Sequence, residues 1–419
     1  MRDLTTLEIL VNNPDQREHL REILKRRPTL EAKYGLPAEV KFCKRCVISN
    51  QRPNSTVEHA NRIGAAKATI NFDSEGVCDA CRAAEQKEKV NWDERERELR
   101  ELCAAHRRSD GAYDCIVPGS GGKDSFFAAH VLRHKYGMHP LLVTWAAHSY
   151  TDWGFRNLCA WQAIADSILV TPRRSLHRLL TRLALENLFH PFQPFVIGQK
   201  NMAPRLAEEY KIPLVFYGEN EAEYGNPLAD VDRATRDSRY HTGSDMILAG
   251  EPVGELARRF DLTERDFDIY RPAQSDYAQV HYLGYYLKWK PQECYYYATE
   301  HGGFECSPER TPGTYSKYSS IDDKTDDLHY WTTWIKYGIG RATYDAAQEI
   351  RSGDITREEG VALVRKFDGE YPTRFEQDML RYLSLPGFVP ATREWLLSLA
   401  ERFKSPHIWD GEKLRHVVS

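Results

Sequence analysis

The chain lacks any run approaching the ~18 apolar residues that a membrane-spanning helix needs, so no membrane insertion is expected. Its start, Met1-Arg2-Asp3-Leu4 followed by Asn12-Asn13-Pro14-Asp15, has neither the basic opening nor the apolar centre of a signal peptide. The expected compartment is the cytoplasm. A surplus of one charge sign is also missing. Lys plus Arg number 57 against 61 for Asp plus Glu, a net of -4. That balance argues against a bulk electrostatic grip on nucleic acid. Hydrophobic residues at 41% and charged residues at 28% exclude collagen-like, coiled-coil and wholly disordered readings, and internal repeats and low-complexity tracts are absent. The nine cysteines are an odd number in a chain expected to meet a reducing environment, so they imply no disulfide framework.

What is present divides the 419 residues into four stretches. Residues 1–40 read as a helical extension, with Leu20, Ile23 and Leu24 at helical spacing. Residues 41–110 carry paired cysteines and then one charge-dense exposed helix, Ala84 to Arg108. From 111 to 330, short apolar runs alternate with helical periodicity. Strands are expected at Asp114–Val117, Leu141–Trp145, Ser167–Val170 and Pro213–Gly218. Helices are expected at Phe126–Tyr136, Phe155–Asp166, Leu176–Leu188 and Met202–Tyr210, while Tyr295-Tyr296-Tyr297 fits a strand or a helix end. Such alternation requires right-handed crossovers, so the fold class is α/β with a mainly parallel, doubly wound sheet. Residues 331–419 read as helical, with a capping box at Thr356-Arg357-Glu358-Glu359 and a last helix from Pro390 to Phe403.

Between the first strand and its helix stands Pro118-Gly119-Ser120-Gly121-Gly122-Lys123-Asp124-Ser125. Consecutive glycines let backbone N–H groups converge, and the helix adds its positive N-terminal end. Ser120 and Ser125 supply hydroxyls and Lys123 a mobile charge, so the turn suits a phosphate. The spacing is not that of a Walker A loop. The segment resembles the Ser-Gly-Gly-x-Asp-Ser signature of the PP-loop ATP pyrophosphatases, which have an adenine nucleotide α-hydrolase-like fold. The resemblance implies that Ser120, Gly121, Gly122, Lys123, Asp124 and Ser125 hold the pyrophosphate end of ATP. It also implies that Asp124 helps place Mg²⁺ and that adenine lies near Val143 to Trp145.

Cys43-x-x-Cys46 and Cys78-x-x-Cys81 form two knuckle-like pairs. Four thiolates suit a closed tetrahedral Zn²⁺ site with a structural role, although an iron–sulfur cluster uses the same ligands. Two independent redox or incidental pairs are the bland alternative.

The wider sequence, from about residue 41 to 375, resembles the N-acetyl sugar amidotransferases of bacterial surface-polysaccharide and nonulosonic acid biosynthesis. The similarity lies in Cys43-Lys44-Arg45-Cys46-Val47, Phe72 through Cys81, His148-Ser149-Tyr150-Thr151 with Asn157, and Tyr217-Gly218-Glu219-Asn220. It continues through Lys317-Tyr318-Ser319-Ser320-Ile321-Asp322-Asp323, Lys336 to Arg341, and Ile350 to Glu359 leading into Phe367-Asp368-Gly369-Glu370-Tyr371-Pro372. The resemblance implies attack of a sugar acetamido oxygen on the α-phosphate of ATP, then displacement of AMP by ammonia to give an acetamidino sugar. Lys123 is the first candidate to offset phosphate charge, with Lys200 or Lys317 second. Glu219, at the end of a parallel strand, is a site candidate. Asp322 or Asp323 is expected to contact Mg²⁺ or sugar hydroxyls, against a solvated acidic loop as the alternative. His148 and His241 read more readily as ordinary polar residues.

No glutaminase signature is visible, so the resemblance implies separate partners. These are a glutaminase and an ammonia-channelling barrel similar to the imidazole glycerol phosphate synthase pair. Two competing readings are a PP-loop tRNA-modifying enzyme of thiolation or lysidine type, and a non-catalytic zinc- and nucleotide-binding scaffold.

Overall fold

The computed structural model describes residues 33–54, 61–62, 67–218, 233–243 and 246–419, and every structural statement below concerns these. Residues 1–32 of the expected helical extension and the candidate Glu219 lie outside them, while residues 33–40, expected to continue that extension, form turns and bends rather than helix.

Five short strands build one all-parallel sheet: β1 Cys115–Pro118, β2 Pro140–Trp145, β3 Ser167–Val170, β4 Leu214–Tyr217 and β5 Gln279–Tyr282, in the order β3-β2-β1-β4-β5. Val117 pairs with Leu142, Ile116 with Val215, and Val215 with Val280. All residues of β1 and β2 are buried, as expected of central strands covered on both faces. Successive residues serve opposite faces. Cys115, Val117, Leu142, Leu214 and Phe216 pack against α2 (Trp92–His106), α3 (Lys123–His134), α4 (Asp152–Gln162) and α7 (Pro291–Gly302). Ile116, Leu141, Val143, Val215 and Val280 pack against α5 (Arg174–Leu188) and α6 (Gln193–Tyr210).

The charge-dense run read as one helix is two. It contains the last four residues of α1, Asp79–Lys87, and then α2, because the Asn91 side chain accepts from the Glu94 N–H at 3.3 Å and opens a new helix. Helix α6 begins nine residues before the expected Met202, since Pro194 fits a first helical turn; the internal Pro204 had obscured the period. Tyr295–Tyr297 belong to α7. Strand β5 gave no sequence signal because Gln279 and His281 interrupt any apolar run.

The C-terminal region is helical: α8 Asp326–Tyr337, α9 Arg341–Ser352, α10 Arg357–Phe367, α11 Glu376–Leu383 and α12 Arg393–Phe403. The capping box at Thr356 and Glu359 is formed. Arg182 of α5, fully buried, fastens this region to the sheet. It donates to the carbonyls of Leu383 at 3.2 Å and Val389 at 3.0 Å, pairs with Glu186 at 2.7 Å and lies over the Trp395 ring. A cation with all these partners can stay charged in a core. The cysteine segment packs on the same region: Val47, Ile48 and Ile70 share one cluster with Ile339, Ala346, Ala347 and Val364. Among the described residues, no helix is long and apolar enough to cross a membrane.

Helices α3 and α7 meet where a Cβ on Gly302 would lie 1.5 Å from Cζ of Phe126, a ring that is 1% exposed. Substitution Gly302→Ala therefore overpacks this contact and should cost about 1–3 kcal/mol. Urea denaturation checks this; an unchanged midpoint would refute the packing.

Candidate active site and metal centre

Strand order reverses between β1 and β4, and in open α/β sheets the crevice beyond the carboxyl ends at such a reversal is where ligands bind. The glycine turn occupies that place. Gly119 N–H still bonds to the Val143 carbonyl at 3.0 Å, after which the chain leaves the sheet. Gly121 has φ +89°, and a Cβ there would lie 2.6 Å from the Asn157 carbonyl oxygen. Both the left-handed backbone and the bare approach to α4 demand glycine. Gly122 is the N-cap of α3 and no side chain caps it, so the first-turn N–H groups point toward the crevice with the helix dipole behind them. Trp161 braces the turn, donating from Nε1 to the Ser125 carbonyl at 3.1 Å.

Asp322, two hundred and two residues after Ser120, closes the other side: Ser120 Oγ donates to its Oδ2 at 2.6 Å. Two interlocked segments bring it there. Thr151 N–H donates to the Asp322 carbonyl at 3.1 Å, Lys324 N–H to that of Ser149 at 2.8 Å, and the Thr151 hydroxyl to that of Ile321. Beneath them Asp323 is buried and accepts five bonds: from His148 N at 2.6 Å and Nδ1 at 2.8 Å, Ser149 N at 3.2 Å, and Thr325 N at 3.0 Å and Oγ1 at 2.9 Å. Burial opposes its charge, but His148 and these donors outweigh burial and hold the carboxyl below its usual range. Asp323 and His148 are thus a structural lock under the site. His148 is fully buried, and its ring stacks on His177 at 4.8 Å. His241 is also buried, with burial pushing its ring down to about 4.

Asp322 behaves oppositely. Burial pushes its carboxyl up to about 6; Asp323 and Asp124 add to the rise, while the Ser120 bond and Lys123 oppose it. Lys123 pairs with Asp124, whose other oxygen, Oδ1, is buried without a hydrogen-bond partner.

The structure therefore brings Ser120, Gly121, Gly122, Lys123, Asp124, Ser125 and Asp322 together. Lys200 lies on α6, where its carbonyl accepts from the Tyr217 hydroxyl at 3.5 Å, beside the end of β4. Lys317 is exposed and donates to the Pro308 carbonyl at 2.9 Å rather than to the turn. Its neighbour Tyr318 reaches the site instead, with Lys123 Nζ 5.8 Å from its ring centre. Sequence reasoning had quoted Tyr318 but passed over it for the charged residue beside it. Val143 and Trp145 pack their side chains against α5 and α6; a Cβ on Gly198 would lie 2.2 Å from the Trp145 ring. Asn157, also quoted without a role, grips the Glu305 backbone with both amide atoms, at 2.9 and 2.8 Å.

The four cysteines converge. Cys43 and Cys81 sulfurs are 3.8 Å apart, Cys46 and Cys78 3.7 Å, and all four lie within 4.8 Å of one another and are buried. A tetrahedron of ~2.3 Å Zn–S bonds has edges of about 3.8 Å, so the set fits a single ion. A 4Fe–4S cluster would bind each thiolate to a different iron, and a 2Fe–2S cluster two to each of two irons, so either would spread the four sulfurs wider. Backbone N–H groups of Arg45, Cys46 and Cys78 point at Cys43 Sγ from 3.4 to 3.5 Å, which supports a thiolate there. Zn²⁺ would be held by Cys43, Cys46, Cys78 and Cys81 with no open position, a structural role.

The chain is similar in part to three known proteins or families. A model of the WbpG-like LPS biosynthesis protein C-terminal domain matches residues 312–418. An uncharacterized protein of Methanocaldococcus jannaschii is 32% identical over 77 residues, 18% of this chain and 27% of that protein. The chain thus matches only about a quarter of that relative's length. The NMN synthetase of Francisella tularensis is similar over 52% of this chain and 89% of its own, with 16% identity and a TM-score of 0.23.

Two outcomes are expected. In a carboxyl-resolved NMR titration, Asp322 titrates near pH 6, and Ser120→Ala raises that midpoint by removing a bond to the charged form. The folded value exceeds the ~3.9 of an unfolded aspartate, so this group's contribution to stability falls as pH rises from about 4 to 6. A midpoint below 4 would contradict the burial. For the metal, the purified chain should carry one tightly bound ion by elemental analysis, while Cys78→Ser loses it and melts at lower temperature.

Proposed function

We propose that the chain is an ATP-dependent amidotransferase. It adenylates the acetamido oxygen of an N-acetyl sugar and substitutes ammonia, releasing AMP and pyrophosphate and leaving an acetamidino sugar. The observation that carries the reading is the uncapped start of α3 behind a glycine turn at the sheet's reversal point, faced by Asp322. The match of residues 312–418 to an LPS biosynthesis domain supports a carbohydrate acceptor.

In this reading the N–H groups of the turn and the Ser120 and Ser125 hydroxyls hold the β- and γ-phosphates. Lys123 exchanges its Asp124 partner for phosphate oxygens and offsets charge as the α–β bond breaks. Asp124, with its unpartnered Oδ1, and Asp322 are the carboxylates that would hold Mg²⁺, which when bound supplies charge neutralisation between them and the phosphates. Carboxylates this close to a phosphate cradle would otherwise repel the ligand. An amide oxygen is a poor nucleophile and its carbon a poor electrophile; adenylation turns the oxygen into a leaving group that neutral ammonia can displace. Because the imidate intermediate hydrolyses readily, water must be kept out. Ammonia is mostly ammonium at neutral pH, so the reading includes a separate glutaminase and a channelling barrel as partners.

The test incubates the chain with ATP, Mg²⁺, ammonium and UDP- or CMP-linked N-acetyl sugars, and follows products by mass spectrometry. Replacing oxygen by NH lowers the sugar's mass by about one unit, with one AMP and one pyrophosphate per event. Lys123→Ala and Asp124→Ala should each lower pyrophosphate release by about 10²-fold or more. AMP formed with no change in any sugar would refute the acceptor.

A further inference from the structure

Asp322 faces the glycine turn from a loop crowded with its own charge: Asp322, Asp323, Asp326 and Asp327 place four carboxylates in six residues. Asp323 is bonded to His148, and one Asp326 oxygen accepts from the Asp323 N–H at 3.3 Å. Asp327, in the first turn of α8, has a side chain with no exposure. It meets Arg374, from the loop before α11, through two parallel bonds: Nε to Oδ2 at 3.2 Å and Nη2 to Oδ1 at 2.8 Å.

The same guanidinium also reaches back along the chain. Nη2 lies 3.4 Å from the Ser320 carbonyl, and Nη1 lies 3.5 Å from the Thr311 hydroxyl, which itself donates to the Ser319 carbonyl at 2.9 Å. One planar fork thus joins the residue two before Asp322 to the residue five after it. The near anchor is a bend, for Ser320 has φ +55°. A side chain in the left-handed region costs about 1 kcal/mol, and such a bend persists where its surroundings fix it. Directly beyond it Ile321 enters the core, and Asp322 turns over the start of α3, with Oδ2 3.6 Å from where a Cβ on Gly122 would stand.

We infer that Arg374 is a positioning residue: by holding the Ser320 bend and Asp327 together it aims the Asp322 carboxylate into the crevice and sets how tightly Mg²⁺ is held there. The inference rests on the reading of the turn as an ATP site, and it names the residue that orients one of that site's carboxylates. Arg374 acts through Asp322 and touches neither nucleotide nor ion. Lysine is no substitute, because an ammonium is a single point charge and lacks the fork that spans Asp327 and the Ser320 carbonyl at once. Mg²⁺ demands near-ideal octahedral geometry, so a ligand turned aside by about 1 Å is a poor one.

The test measures the affinity of the full chain for a non-hydrolysable ATP analogue by calorimetry, with Mg²⁺ titrated from none to excess; no sugar acceptor is needed. In the parent chain Mg²⁺ should tighten binding. Arg374→Lys should raise the Mg²⁺ concentration that gives half of this gain about tenfold, while the affinity measured in EDTA, which the turn supplies, stays the same. Ser320→Val keeps Arg374 but resists the left-handed bend, and should show the same shift; Ser320→Gly accepts the bend and should not. A residue that only stabilised the fold would lower the melting temperature and weaken both affinities together. That result, or an unshifted Mg²⁺ response in Arg374→Lys, would overturn the inference. A parent chain that binds no ATP analogue, or binds it without regard to Mg²⁺, removes this inference together with the site reading beneath it. The expected shift with no sugar amidinated refutes the acceptor alone and leaves the role of Arg374 standing.

Discussion

A backbone-to-backbone contact governs the geometry of the candidate site. Helix α4 lies so close to the turn after β1 that Gly121 has no room for a side chain, and so close to Asp322 that a Cβ on Gly154 would lie 2.3 Å from the Asp322 carbonyl oxygen. One helix is therefore a spacer between two segments remote in sequence. Such contacts tolerate little displacement, since a packed interior has few voids to absorb it. The Ser120–Asp322 bond follows from that spacing. Asp323 and His148 support it from below, buried and fully bonded on the facing side.

The cysteine centre works at longer range. It is not a freestanding finger, because its apolar residues share a cluster with α9 and α10, and Arg357 donates to the Cys43 carbonyl at 3.4 Å. A network runs on from α9 toward the glycine turn: Glu349 accepts from Tyr315 at 2.6 Å and from Tyr318 at 3.4 Å, and the Tyr318 ring faces Lys123. The cysteine cluster, α9 and the glycine turn thus belong to one packed body.

Much of this was legible in the residues. The central strands β1, β2 and β4 are buried almost throughout and read as apolar runs, and the partly exposed edge strand β3, Ser167–Val170, was bounded as observed, so the α/β class could be read directly. The glycine turn and the paired cysteines announced themselves because their chemistry is local. What stayed hidden was set by tertiary contact. Strand β5, with Gln279 and His281 in its four residues, has no apolar run, and its pairing with β4 fixes it. The break between α1 and α2 hinges on a single Asn91 in a run where charge masks every other signal. Lys317 reads as a better ligand than Tyr318, because direction cannot be read from a one-dimensional motif.

The distance along the chain between Ser120 and Asp322 has a consequence for synthesis. A ribosome that has released the sheet up to β5 has exposed the glycine turn but not the carboxylate that faces it. The crevice is finished only when the 321–324 segment docks on 148–151, late in translation. Contacts of such high sequence separation form slowly. The nascent polypeptide therefore passes through a stage in which the crevice is half built, and products truncated before residue 322 never acquire its second wall.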